Sequence, residues 1–284
     1  MRCILFHFLF HISNFQFPCM FSSWQLIKKY SSYYLTALNG KGHGIHSPFV
    51  YDLVRRVLID KRSFYAYNQV ETLRRKLLHD ETVIEVEDFG AGSSISKTNQ
   101  RSIASIAQHA AKSKKWAQLL FRIVNYYQPQ TILELGTSLG ISTAYMAMAN
   151  PQARIITAEG SAAIADQAKK NFQSLQLSSI QQVTGNFDET LPGILSSISQ
   201  LDLVFIDGNH RYEPTVRYLN QILPYLHANS IVIFDDIHWS KEMEQAWDAI
   251  RENSAVQLSV DLFFIGLVFF NDQFKVKQHF TIRY

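Results

Sequence analysis

Residues 131–147, TILELGTSLGISTAYMA, constrain the fold more than any other part of the chain. Thr131 to Leu135 is a short apolar run rich in β-formers. Gly136 and Gly140 frame a turn, and Ile141 to Met148 continues at helical spacing. This pattern predicts a buried strand that runs through a glycine-rich turn into a helix, so that the strand end and the helix N-terminus face one pocket.

Four further apolar strands follow, each closing on a polar residue: RIITAEG on Glu159, QQVTGN on Asn186, LDLVFIDG on Asp207, and SIVIFDD on Asp235 and Asp236. Helical patterns separate them at 161–177, 189–198, 212–226 and 241–253. Strands alternating with helices of this length predict βαβ units and a parallel sheet whose carboxyl ends gather the ligand groups.

The run from about Trp116 to the C-terminus resembles the class I S-adenosylmethionine-dependent methyltransferases, within them the catechol and caffeoyl-CoA O-methyltransferase type. A related branch of bacterial methyltransferases, with a D-G-x-H-x-Y form of the fourth strand end, matches more closely. The family's E-x-G-x-x-x-G-x-S turn is matched by Glu134, Gly136, Gly140 and Ser142, with Thr137 and Ser138 between the glycines. The resemblance implies a doubly wound α/β fold, a mostly parallel seven-stranded sheet with a mainly helical N-terminal domain. It also implies S-adenosylmethionine as cofactor, held by these residues together with Glu159 on the ribose diol, Gly185 and Asn186 beside the adenine, and Asp207. Asn186 stands where the family has an acid. The family's F-I-D-A-D-K and D-N-x-L-W segments are matched by Phe205-Ile206-Asp207-Gly208-Asn209-His210 and Asp235-Asp236-Ile237-His238-Trp239. His210 therefore replaces a lysine base, and Asp236 replaces an asparagine. The helix at 114–127 is implied to bring Trp116, Gln118 and Leu119 toward the cofactor, and the last two strands to form an antiparallel hairpin at the sheet edge.

Methyl transfer from a sulfonium is an in-line displacement, so the acceptor oxygen must be held in place and readily deprotonated. Asp207, Asp235 and Asp236 on neighbouring strand ends would make an oxygen-rich site for Mg2+ or another hard divalent cation. A histidine titrates near neutral pH, which makes His210 the candidate base, with Asp207 as its catalytic partner. Other readings stay open. Asp235 and Asp236 could cap the next helix, and His210 could orient a loop. The turn alone would also suit NAD, although it lacks the G-x-G-x-x-G spacing. A protein that binds the cofactor without chemistry is the remaining alternative.

The charge is unevenly shared. Residues 1–130 carry +9 and residues 131–284 carry −6, giving the overall +3. A basic half beside an acidic one suits a small-molecule or glycan-type acceptor of anionic character, though scattered pairs such as Lys28-Lys29 and the run from Lys112 to Lys115 read more simply as solvated helix faces. Nucleic acid stays open as an acceptor, with no recognition motif for it, and so does a homodimer.

The organisation predicted is an apolar leader or mis-assigned start at 1–20, a mainly helical domain at 21–112, and the Rossmann-like domain at 113–284. Helices are expected at 24–38 and 49–59, the second capped by Ser47 with Pro48 in its first turn. Between them GHGIHSPF, with His43 and His46, reads as a lid over the acceptor pocket or as a packed entry loop. VIEVEDFGAGS at 83–93 imitates a cofactor turn, but no apolar helix follows, so it reads as an extended arm. The first twenty residues are too short to span a bilayer and show no small-x-small cleavage site. Both cysteines, Cys3 and Cys19, lie there. The rest of the chain therefore offers no disulfide framework or thiolate chemistry, which suits a cytoplasmic location.

Overall fold

The computed structural model describes residues 21–42, 44–87 and 99–284. The expected leader, His43 and the FGAG turn lie outside the described residues.

Helix α1 (Ser23–Thr36) opens with a reciprocal capping box between Ser22 and Gln25. Helix α2 (Pro48–Leu53) starts on Ser47, whose hydroxyl accepts from the Val50 N–H, and continues into five residues of π-helix, Val54–Leu58. The loop before it buries Ile45 and exposes His46, the arrangement of a packed entry loop. Helix α3 (Tyr65–Leu77) buries Ala66, Val70, Leu73 and Leu77 at helical spacing. Strands β1 (Val83–Glu85) and β2 (Gln100–Ser102) pair antiparallel, as an extended arm would, and helices α4 (Ile103–His109) and α5 (Lys114–Tyr127) lead into the main sheet.

The sheet proper comprises β3 (Thr131–Leu135), β4 (Arg154–Glu159), β5 (Ile180–Thr184), β6 (Leu201–Ile206), β7 (Leu226–Asp235), β8 (Leu258–Asp261), β9 (Ile265–Phe269) and β10 (Gln278–Thr281). Their order is β10-β8-β9-β7-β6-β3-β4-β5. Strands β7, β6, β3, β4 and β5 are mutually parallel, while β9 lies antiparallel to both β7 and β8. The sheet is thus Rossmann-like and doubly wound, with the antiparallel hairpin expected near its edge. It has eight strands rather than seven, because the chain after the Asn271-Asp272 turn returns to lie parallel to β8. Leu38, just beyond α1, bridges to Ile282 past the end of that added strand.

Alternate residues on each strand enter two separate cores. Ile132, Ile155, Leu203, Phe205, Ile231 and Ile233 face one side, and Leu133, Ile156, Val204, Val232 and Phe234 the other. The linking helices are α6 (Ile141–Ala149), α7 (Ala162–Ser174), α8 (Phe187–Ser196), α9 (Tyr212–Ile222) and α10 (Lys241–Glu252). Helices α8, α9 and α10 cover the second side, whereas α2 to α6 cover the first. No break in that first core marks a boundary at residue 112, and the N-terminal helices form a cap on one face of the sheet.

Candidate functional site

The chain runs from β3 to β4 and β5 on one side, then returns to place β6 on the other side of β3. The ends of β3 and β6 therefore flank the switch point where ligands of such sheets bind. The two ends touch. Gly136 has φ +111, and a Cβ there would run into the backbone carbonyl of Asp207. Only glycine combines that backbone conformation with that approach. The turn closes at Gly140, φ +79, which caps α6.

Glu159, at the end of β4, points its carboxylate along this turn. It accepts the Ser138 N–H at 2.8 Å and the Ser161 N–H at 3.0 Å. Beside it the hydroxyls of Ser138 and Ser161 are buried and lack a hydrogen-bond partner among the described residues. Buried hydroxyls without a partner are uncommon, and here both belong to the residues whose amides Glu159 holds. Gly185, φ +136, follows β5. Asn186 caps α8 by accepting the Asp188 N–H at 3.0 Å, so its oxygen is occupied by the helix.

Glu134 and Ser142 sit differently from what the motif implies. Glu134 is fully buried, and its carboxylate is taken by Ser142 at 2.6 Å, by Thr143, and by Thr157 at 2.7 Å. Thr137 joins this group through the Thr157 hydroxyl at 2.6 Å. Burial raises the Glu134 pKa to about 7 against the opposing pull of the three hydroxyls. These side chains brace the turn from beneath rather than line its open side. Thr143 and Thr157 were not anticipated, although a threonine inside the apolar strand RIITAE is a visible signal. Leu119 is likewise corrected: it lies in the core, while Trp116 packs on Phe264 and Tyr284, and Gln118 hydrogen-bonds to Tyr145.

Across the switch point, donor atoms of Asp207, His210 and Asp235 lie within 4.8 Å of one another. His210 Nε2 is 3.6 Å from Asp207 Oδ1. The trio expected from the sequence was Asp207, Asp235 and Asp236. Asp236 follows the last residue of β7 at φ +53 and is not part of the cluster, although its charge acts on Lys112. Burial raises the pKa of Asp235 to about 7, helped by neighbouring Asp207 and opposed by Lys112. Burial and Asp235 raise that of Asp236 to about 6.

Lys112, which in the sequence belongs only to a basic run, joins this centre. Its ammonium bonds Asp235 and lies 3.1 Å from Asp207 Oδ2, with only 12% of the side chain exposed. Burial works against its charge, but Asp207, Asp235 and Asp236 outweigh that cost and hold its pKa above the ordinary lysine value.

Comparison with known proteins agrees with this geometry. Residues 133–237, which span the turn, Glu159, Asp207 and both later acids, match the family model described as a methyltransferase domain. This stretch is a methyltransferase domain. A catechol O-methyltransferase of Niastella koreensis is 32% identical over 126 residues, 43% of this chain and 55% of that protein. The methyltransferase domain thus carries the likeness, and the chain spans 58% or less of the curated relatives it matches. Among solved structures, the S-adenosylhomocysteine-bound methyltransferase PaMTH1 of Podospora anserina superposes with a TM-score of 0.55 at 14% identity, covering 92% of this chain and all of that one. An O-methyltransferase of Bacillus cereus gives 0.52 at 17% identity, covering 76% and 95%. Likeness at that identity establishes the methyltransferase fold.

Proposed function

We propose that this protein transfers a methyl group from S-adenosylmethionine to an oxygen of a small acceptor. The observation that carries the reading is the polar group at the end of β4, where Glu159 holds the amides of Ser138, in the glycine turn, and of Ser161, two residues whose hydroxyls lack a partner among the described residues. A ribose diol has the donors and acceptors to satisfy this set. The likeness to a catechol O-methyltransferase supports an oxygen acceptor.

Bound there, S-adenosylmethionine supplies an electrophilic methyl carbon. Glu159, Ser138 and Ser161 would hold its sugar, Gly136 would let its chain pass close to the backbone, and Gly185 and Asn186 would flank its base. Asp207 follows the strand beside the turn, so His210 and Asp207 would face the acceptor. His210 would take the acceptor proton, and Asp207 would orient the imidazole. No step passes through a divalent ion, because the carboxylates that would bind one already hold Lys112. Among the described residues no helix is long and apolar enough to cross a membrane, and a cytoplasmic site of action fits the proposal.

Calorimetric titration of the full chain with S-adenosylmethionine, S-adenosylhomocysteine and NAD tests it. Binding of both sulfur compounds and not of NAD is expected. Failure of both to bind would overturn the proposal.

A further inference from the structure

Lys112 lies in the short link between α4 and α5, and the cap on the sheet fixes where it leaves the backbone. Arg74 of α3 donates to the Lys112 carbonyl at 2.7 Å and is braced by Glu71 at 3.2 Å. Glu71 in turn accepts the Tyr145 hydroxyl of α6 at 2.9 Å. From that anchor the side chain crosses to the strand ends, with the Phe205 ring 5.8 Å from its nitrogen. It ends between Asp235, 3% exposed, and Asp207, 14% exposed.

A magnesium ion would need these same oxygens at about 2.0–2.1 Å. An ammonium already at bonding distance from both acids would then stand against a like charge in a poorly solvated place. The acidic centre and a divalent ion therefore do not fit together while Lys112 is in position. Removing the lysine would instead leave two buried acids uncompensated, the situation that recruits a cation.

We propose that Lys112 is the resident cation of the acidic centre, a positioning residue that holds Asp207 and Asp235 in place of a divalent ion. That the centre serves methyl transfer rests on the function proposed above; which cation fills it does not.

Binding of Mn2+ by the full chain, followed by calorimetry and by the loss of the free-ion paramagnetic resonance signal, tests the proposal in wild type, Lys112→Met and Lys112→Arg. S-adenosylhomocysteine titration of each variant serves as the readout of folding. Wild type and Lys112→Arg are expected to bind no Mn2+, with or without S-adenosylhomocysteine. Lys112→Met is expected to gain Mn2+ binding that wild type lacks, and to lose it when Asp207→Asn is added. Micromolar Mn2+ binding by wild type would overturn the proposal, as would a folded Lys112→Met that gains none. If Lys112→Met does not fold, the wild-type and Lys112→Arg titrations decide: no Mn2+ bound supports the proposal, and Mn2+ bound overturns it. If wild type fails to bind S-adenosylhomocysteine, the methyl-transfer reading falls, and the metal titrations still decide the role of Lys112.

Discussion

Arg74 donates a 2.7 Å hydrogen bond to the main-chain carbonyl of Lys112, and through it the N-terminal cap reaches the acidic centre of the methyltransferase domain. The guanidinium is largely buried and paired with Glu71. Replacing Arg74 with Ala removes a charge-assisted bond and leaves both the carbonyl and Glu71 short of a partner, at a cost of about 1.5–3 kcal/mol. Urea denaturation should show this loss, while the affinity for S-adenosylhomocysteine changes little, because Arg74 stands away from Glu159 and its turn. A variant as stable as wild type would mean that the link contributes nothing.

Gly136→Ala should be far more damaging than its size suggests. The new methyl group would meet the Asp207 carbonyl, and the backbone would be held at φ +111, where residues with a Cβ are strained. The loss should exceed about 3 kcal/mol and abolish cofactor binding, because relief requires β3 and β6 to part at the switch point. Thermal melting with and without S-adenosylhomocysteine measures both effects. A folded Gly136→Ala protein that still binds would show that the two strand ends can separate freely.

Much of this architecture could be read from the residues. The alternation of apolar strands with helices, and the glycines at 136 and 140, depend on local periodicity and backbone freedom, which sequence expresses directly. Side-chain direction at the strand ends is less legible. Asp235 and Asp236 are chemically alike, yet one closes the strand bonded to Lys112 while the other leaves it at positive φ and acts on Lys112 by its charge. Glu134 matches a cofactor motif, but its partners at 142, 143 and 157 become visible only when the helix and the next strand pack over it. Lys112 was the least readable of all. It lies in a basic run with no period of its own, 95 residues before Asp207 in the numbering, and only tertiary packing brings it to the acids. The eighth strand was hidden similarly, since its pairing parallel to β8 joins segments about twenty residues apart across a turn and has no local signal.

Glu159→Ala should weaken S-adenosylhomocysteine binding by about 1–3 kcal/mol, the worth of charge-assisted hydrogen bonds to a diol. Glu159→Gln keeps one oxygen acceptor for a backbone N–H and should lose less. Calorimetry on both variants separates a binding role from the purely structural one of holding the Ser138 and Ser161 amides. A structural role alone would lower the melting temperature of both proteins and leave the affinity of the folded fraction intact.

His238 should make stability depend on pH on the alkaline side. Its ring bonds Asp261 at 2.8 Å and Glu244 at 3.0 Å, and Glu244 also holds Lys29 at 2.9 Å, which ties α1 to the loop after β7. Burial alone would lower the His238 pKa, but the two carboxylates outweigh it and raise the value to about 9 from 6.5. A group whose pKa rises on folding contributes its full stabilisation below its unfolded value and loses it as pH climbs through the folded one. The contribution is therefore complete below about pH 6.5, declines between there and pH 9, and is gone above; at 1.36 kcal/mol per pH unit it amounts to roughly 3 kcal/mol. Glu244 acts in the opposite direction. Its pKa is lowered by His238 and Lys29 against the effect of burial, so its share is present above the ordinary glutamate range and fades in acid. Denaturant melts of wild type and His238→Gln from pH 5 to pH 10 should show the largest gap near pH 6 and a convergence toward pH 10. A gap that stays constant across that range would mean that the His238 pKa does not change on folding and that the Asp261 and Glu244 bonds do not depend on its charge.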